Sequence, residues 1–387
     1  EVSNVIAGPV TGKLLADLGA DVTKLEPYSG EISRFSGMSY FLSYNTNKRS
    51  VALDTHITDG ASAVRRLASV NDILVSNLRQ GALERMGLST DDLKTLNPSI
   101  IESRITGFGW DGPYGRRPGL DPLAQAIIGL LSDQGGRNSP PMLLGRIGIS
   151  DCAAGSMAAL GAVMALYVRE RTGQGQRIDT NLLDGSILVS SESFNRYDGR
   201  RPRRIAINDQ LGLSPLHRAF ETRDGWLYLD AEACGGLDSL LRAAGVQQSS
   251  QWPMLVSVDW CQVHPNEISV ALEQAFKTAD TDTWLDRLES AQIPCAPIVD
   301  TDDDVFFRDP HAIAANKIVK YDHSVFGRMM HSKYSPDFGD IVTASGRPTP
   351  LLGEHTMEVL VDAGYSAQKV TRMVHSGAAV LNTPQIP

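Results

Sequence analysis

Two aspartates carry the first chemical suggestion in this chain. Asp151 sits in GRIGISDCAAGSMAALG, where a Gly-rich loop gives way to an apolar helix. A carboxylate at such a junction has two readings. The commoner is an N-cap that accepts backbone N–H bonds from the first turn. The sharper is a nucleophile: Ala153, Ala154 and Gly155 leave the first turn open to a substrate, and a helix N-terminus favours anions, a developing oxyanion included. The local sequence leaves both open. Thirty residues earlier, Asp121 in RRPGLDPLAQA stands at a second loop-to-helix junction, just after Gly119. Two carboxylates so placed could share acid–base work. Basic residues form a third group: Lys48 and Arg49 in NTNKRSVALD, Arg79 and Arg85 in SNLRQGALERMG. A lone surface arginine is ordinarily just solvated, but gathered at one sheet edge these residues could hold a phosphorylated ligand.

The elements that must position these residues alternate. The pattern predicts a helix over 9–20 and strands over 21–26 and 51–54. A helix follows over 58–69, with Ala63, Val64, Leu67 and Ala68 for packing, then strands over 72–77 and 99–106. Such alternation implies parallel βαβ units and an α/β fold with a Rossmann-like sheet, whose carboxyl edge carries the site. No GxGxxG follows a strand, which disfavours a nicotinamide or flavin dinucleotide. A helix over 122–132 and a polar loop over 133–148 lead to an apolar helix over 152–172. Gly155, Ser156, Gly161 and its terminal charges mark it as a buried helix. RIDTNL reads as a strand and 183–197 as a helix.

At 198–216 the composition turns basic, then polar, with Pro202 and Pro215, as a linker would. Residues 217–233 read as a hairpin turning at Asp224–Gly225, with helices over 235–245, 266–279 and 281–291. Strands follow at 295–299 and within 317–332, and a helix over 354–364 returns to the first sheet. The expected plan is a large domain over 1–197, a linker over 198–216 and a smaller α+β domain over 217–316. A return segment over 317–380 completes the large domain, and 381–387 is a tail.

Composition narrows the class. With 387 residues, 42% hydrophobic and 21% charged, the chain suits one large domain or two. A net charge of −9 argues against nucleic acid as a partner. No run approaches 18 apolar residues, so no membrane span is expected. Cys152, Cys234, Cys261 and Cys295 form no CxxC pair. They read as reduced thiols of a cytoplasmic protein, neither disulfides nor a metal site. The chain opens at Glu1 rather than Met, and residues upstream of this numbering are expected.

Seven segments in order resemble the class III CoA-transferases, the family of the formyl-CoA:oxalate and carnitine enzymes. They are VIAGPVTGKLLADLGADVTKLEP, NTNKRSVALD, SNLRQGALERMGL, ITGFGWDGPYGRRPGLD, ISDCAAGSMAALGAVMALYVRERTGQGQRIDTNLLDG, IPCAPI and PLLGEHTMEVL. The resemblance spans about residues 1–380. It implies that coenzyme A moves from an acyl-CoA donor to a small carboxylic acid acceptor through a covalent intermediate on Asp151, with no metal. It assigns CoA contacts to Leu53, Asp54, Thr55 and His56, to Asn77, Leu78 and Arg79, and to Arg85. Ile6 and Ala7 would border the thioester, and Pro118, Gly119, Leu120 and Asp121 would line the same site. Gly235 and Gly236, after Cys234, would be the loop that closes over the aspartate. An interlocked homodimer is implied too.

Two departures stand out. Pro27 replaces an arginine that touches CoA, so Arg34, Lys48 or Arg49 is expected to supply that charge. Ile6 replaces a glutamine, which weakens the case for an oxalate-like diacid. A 2-methylacyl-CoA racemase of the same fold would need a histidine where this chain has Leu120. A catalytically silent CoA-binding protein is the other alternative.

Overall fold

A computed structural model describes residues 1–136, 139–144, 148–200, 205–206, 210–232, 236–247, 265–300, 305–333, 336, 338 and 346–382. The chain divides into two compact units. One comprises Glu1–Ile128, Gly145–Asn195 and Pro310–Pro387; the other comprises Gly129–Leu144 and Arg196–Asp309.

The first unit alternates as its sequence pattern predicts. Helix α1 (Ala7–Asp17) leads to β1 (Val22–Pro27), and short helices α2 (Ser33–Ser36) and α3 (Met38–Tyr44) lead to β2 (Lys48–Leu53). Then come α4 (Thr58–Val70), β3 (Ile73–Ser76), α5 (Ala82–Arg85), α6 (Thr90–Leu96) and β4 (Ile101–Thr106). After α7 (Asp121–Ile127) the unit resumes with α9 (Ile149–Thr172), β5 (Arg177–Asn181) and α10 (Leu182–Val189); α8 (Leu130–Gly135) belongs to the other unit. β1 pairs parallel with β2, and β3, β4 and β5 pair parallel in that order.

Glu1 and Val2 run between β1 and β3: Leu25 N–H donates to Glu1 O and Val2 N–H to Val75 O, each at 2.8 Å, and Val2 bridges Ser76 in parallel.

The core over these sheets joins the Ala63, Val64, Leu67 and Ala68 face of α4 to Leu74, Leu93 and Ile100. The C-terminal part adds Leu360, Val370 and Met373. The helix Thr356–Asp362 does return to the first sheet, where Ala52 N–H donates to Thr356 Oγ1 at 3.2 Å. A further helix, Ala367–His375, was not anticipated, and the closing strand Ala379–Val380 pairs antiparallel with β2.

The strands expected within 317–332 form a hairpin, Ile318–His323 antiparallel to Gly327–Ser332. Two expectations need correction. The helix predicted over 122–132 is broken: Gly129 adopts φ +83° between α7 and α8, a left-handed conformation that ends a helix. Helix α9 is buried on one side only. Its small face, Ala154, Ala158, Ala159, Ala162 and Ala165, packs inward, while Leu160 (62%), Met164 (60%) and Tyr167 (61%) are exposed. By length and composition alone α9 could cross a membrane.

In the second unit, strand Gly212–Ser214 falls inside the stretch read as a linker. It starts an antiparallel sheet with His217–Glu221, Trp226–Asp230 and Cys295–Ile298. The hairpin turns at Asp224–Gly225 as predicted, closed by Thr222 N–H to Gly225 O at 2.9 Å. Phe276 stacks on Phe220 and packs against Trp284 at the centre of this unit's core.

Candidate active site

Small residues let α9 pack closely on α1 and on α10. A Cβ on Gly155 would lie 2.5 Å from Ala7 O, and one on Gly185 would lie 2.8 Å from Ala154 N and from Ser150 O. Only glycine permits these approaches. Thr11 Oγ1 lies 3.0 Å from both Ala7 O and Gly155 O, which ties α1 to α9. The start of α1 is thereby held against the first turn of α9.

Helix α9 starts at Ile149 after Gly148, so Asp151 lies inside the first turn and is not the N-cap. The capping is done by Asp121. Its Oδ2 accepts the N–H of Ser150 at 2.7 Å and of Asp151 at 3.0 Å, two first-turn donors that lack helical partners. Its Oδ1 accepts from Gln125 Nε2, which is fully buried. One aspartate therefore caps the helix of the other across thirty residues of sequence, and the Asp151 carboxylate is left for something else.

That carboxylate faces a cleft, where its pKa is raised from 3.8 to about 7. Burial is the largest cause and the nearby Asp121 charge the second; a hydrogen bond donated by Ala7 N–H opposes both. Beside it, Tyr44 OH lies 3.8 Å from Cys152 Sγ. Burial pushes both of those groups up, with the Asp151 charge contributing. A carboxyl group displaced this far by desolvation and a like charge, in a cleft, is the signature of a candidate functional site.

The cleft has a volume of about 910 Å3 and lies within the first unit, at the carboxyl ends of β3 and β4. Of the expected site residues, Ile6, Ala7, Asn77, Leu78, Arg79, Gly119, Leu120 and Asp151 line it. Asn77 is engaged inward: its side chain accepts Asn4 N–H at 2.8 Å and donates to Asn4 O at 2.7 Å, which fixes the loop before α1. Asp121 is buried just behind, and Pro118 is exposed next to Gly119. Leu120 is 63% exposed at the start of α7.

Other expected residues lie off this lining. Leu53 is buried at the end of β2, and in the loop beyond it Asp54 Oδ1 accepts His56 N–H at 2.9 Å while Thr55 is half-buried. Arg85 is exposed at the end of α5. Gly236 opens a helix (Gly236–Ala244) of the second unit at φ +67°, whereas Cys234 and Gly235 fall outside the described residues.

The basic residues expected to replace an arginine at Pro27 are committed elsewhere. Arg34 makes a bidentate pair with Glu26, at 2.6 and 2.8 Å. Lys48 is buried against Glu1 at 2.7 Å, and Arg49 pairs with Asp21, Glu358 and Asp362. The cleft itself supplies the alternative that sequence reasoning missed. Arg116 and Arg117 line it beside Arg79, and no carboxylate among the described residues pairs with these three. Their loop is pinned: Gln80 Nε2 donates to Trp110 O at 2.8 Å and Gly115 O at 3.1 Å, and the Arg104 guanidinium lies 3.4 Å over the Trp110 ring. At its base Gly107 and Gly119 touch, so that a Cβ on either would lie within 2.3 Å of the other's Cα. The doubled arginine between Gly115 and Pro118 was the available signal.

A parallel α/β unit with a desolvated carboxylate at the carboxyl edge, and around it arginines that pair with no carboxylate among the described residues, suits an anionic substrate. Comparison with known proteins agrees. Residues 1–356 match the family described as CoA-transferase family III, and the chain belongs to it. It is 31% identical to a formyl-CoA:oxalate CoA-transferase of Rhodopseudomonas palustris, over 98% of this chain and 95% of that one. It is 29% identical to human succinyl-CoA:glutarate CoA-transferase, over 97% and 87%. A CAIB/BAIF family protein from Brucella suis superimposes with a TM-score of 0.81 at 26% identity, covering 94% of this chain and 97% of that one. The protein is thus a class III CoA-transferase, with acyl-CoA as a substrate.

Proposed function

We propose that the cleft transfers coenzyme A between two carboxylic acids through Asp151. The observation that carries this reading is the division of labour between the aspartates. Asp121 satisfies the first turn of α9, and the Asp151 carboxylate faces the cleft beside the Ala7 backbone.

The Asp151 carboxylate attacks the donor thioester carbonyl and expels CoA thiolate, giving a mixed anhydride. The thiolate attacks the aspartyl carbonyl; a C–S bond forms, the donor leaves as carboxylate, and an aspartyl-CoA thioester remains. The acceptor carboxylate attacks that thioester and expels the thiolate, which then takes the acceptor acyl group and frees Asp151. No proton is gained or lost overall. Arg79, Arg116 and Arg117 would take the CoA phosphates, with Asn77, Leu78 and Gly119 along the pantetheine path. Arg85 and the loop Leu53–His56, at the same strand edge, are assigned as outer contacts on the family resemblance alone.

The acceptor end is apolar. Ile6, Leu120 and Leu182 line the cleft with Asp151, which favours a monocarboxylate or a longer diacid over a compact one such as oxalate. Leu120 carries no proton-accepting group, which counts against racemisation. The exposed apolar stripe of α9, Leu160, Val163, Met164 and Tyr167, supports a homodimer in which a second copy covers it. Gly235 and Gly236 are proposed as the covering loop, and the cytoplasm as the site of action.

The test is chemical. Enzyme incubated with acyl-CoA and then borohydride should carry homoserine at position 151, the reduction product of an aspartyl thioester. A confirmed donor that leaves position 151 as aspartate refutes the mechanism.

A further inference from the structure

Val5 is the one β-branched residue among the described non-glycine residues with positive φ, at +65°. Valine rarely occupies that region, because its branched side chain crowds the backbone there, and such strain persists only where the surroundings over-determine it. Here they do. Val5 N–H donates to Glu31 Oε2 at 3.0 Å. On its other side, Asn4 is gripped at both N–H and C=O by Asn77. Lys24 Nζ donates to Ser3 O at 3.1 Å and lies 3.9 Å from Glu31 Oε1, which also accepts from Ser33 Oγ. The Glu31 side chain is wholly buried. Two residues beyond Val5, the chain enters α1, and Val5, Ile6, Ala7 and Asp151 line the same cleft, where the Ala7 backbone N–H acts to lower the Asp151 pKa.

A buried carboxylate among lysines has a plain structural use. It does not explain why one oxygen is spent on the N–H of a strained residue at the edge of the cleft. We infer that Glu31 is a positioning residue, whose bond to Val5 N–H fixes the turn that aims Ala7 N–H at Asp151. This rests on the reading of Asp151 as the reacting group. Once Asp151 is acylated, one of its oxygens remains a carbonyl. When the thiolate adds, the electron pair moves onto that oxygen, and collapse expels the donor carboxylate. A donor held at that oxygen beforehand stabilises the charge as it develops.

The experiment has two readouts. One is the titration of the Asp151 carboxyl by 13C NMR in the resting, aspartate-labelled protein, its resonance assigned with Asp151→Asn. The other is kcat and KM with an acyl-CoA donor. Other groups that bear on Asp151 are Asp121 from α7, Tyr44 from α3 and Cys152 on α9 itself, and each stays in every variant. Glu31→Ala should move the titration upward from about 7 and lower kcat roughly tenfold or more with KM little changed. Glu31→Gln, which keeps an acceptor, and Val5→Gly, which takes positive φ without strain, should both stay close to wild type. If Glu31→Ala does not fold, Asn77→Ala cuts the same loop's support from the other side and should reproduce the upward titration and the loss in kcat. A lowered Tm with titration and kcat unmoved in these variants overturns the inference, as does a Val5→Gly as impaired as Glu31→Ala. A titration that moves in a protein that transfers CoA from no donor keeps the positioning role and removes the transferase reading.

Discussion

Two buried clusters of charge lie close together in the first unit and behave in opposite ways. Under the loop before α1, every charge meets its opposite. Lys24 and Lys48 both reach Glu1, and Arg34 grips Glu26, whose carboxyl is held below its usual range: burial would raise it, but Arg34 and Lys24 outweigh burial. At the start of α9, Asp151 meets another carboxylate and one backbone N–H, and its pKa rises to about 7. Burial acts on both groups alike; what differs is the partner. Paired buried charges fix a conformation, while a buried charge beside its like stores reactivity.

The contrast is sharpest under mutation. On the proposed mechanism Asp151→Asn should lose CoA transfer by several orders of magnitude, since it would remove the covalent pathway, while the protein stays folded. Glu26→Gln should do the reverse. Breaking a buried pair costs about 3–5 kcal/mol, so urea unfolding should show a much weaker protein, with activity per folded molecule largely kept. An Asp151→Asn variant that unfolds yet retains turnover would collapse the distinction.

A smaller effect separates committed arginines from free ones. Arg116→Ala and Arg117→Ala should each raise the acyl-CoA KM by roughly tenfold, in line with loss of a charge-assisted phosphate contact. An acyl-pantetheine donor, which lacks the nucleotide phosphates, should show no such change. Arg49→Ala should leave KM alone, because Arg49 is spent on Asp21, Glu358 and Asp362. Equal losses with both donors would place the arginines away from the phosphates.

Much of this was legible in the sequence, for reasons that also explain what was not. Strand–helix alternation placed β1 to β5, and junction chemistry singled out Asp151 and Asp121. Which aspartate caps was hidden, since the bond from Asp121 to Ser150 and Asp151 spans two elements and no local pattern encodes it. Nothing local marks Lys24 and Glu26 in their strand for burial, because burial of charge becomes visible only with Glu1, Glu31 and Arg34 in place. The pair Arg116–Arg117, which meets no carboxylate among the described residues, and the committed pair Lys48–Arg49 look alike as sequence. They differ in whether a carboxylate folds up beside them. Helix α9 read as buried from Gly155, Ser156, Gly161 and its terminal charges, and these do not say which face a neighbour covers.

The smallest predicted effect tests the like-charge half of the contrast by itself. Asp121→Asn removes the charge beside Asp151 while its amide oxygen can still accept the N–H groups of Ser150 and Asp151. Gln125 can adapt, because its Oε1 is buried with no hydrogen-bond partner among the described residues and can turn to accept from the new amide. The cap should therefore survive. Asp151 should then titrate below its value of about 7, since one of the two causes that raise it is gone while burial remains. The acid limb of kcat/KM, which the proposed mechanism assigns to ionised Asp151, should move to lower pH by up to roughly one unit. Stability should follow the same sign. A carboxyl whose folded pKa is raised loses its contribution as pH rises through that value, so wild type is penalised above about pH 7, where Asp151 is charged. Asp121→Asn relieves part of that penalty. Its Tm should exceed that of wild type on the alkaline side, with the advantage fading as the pH falls and Asp151 becomes protonated. An acid limb that stays in place or moves upward would mean that burial alone sets the pKa, and that the second aspartate is only a cap.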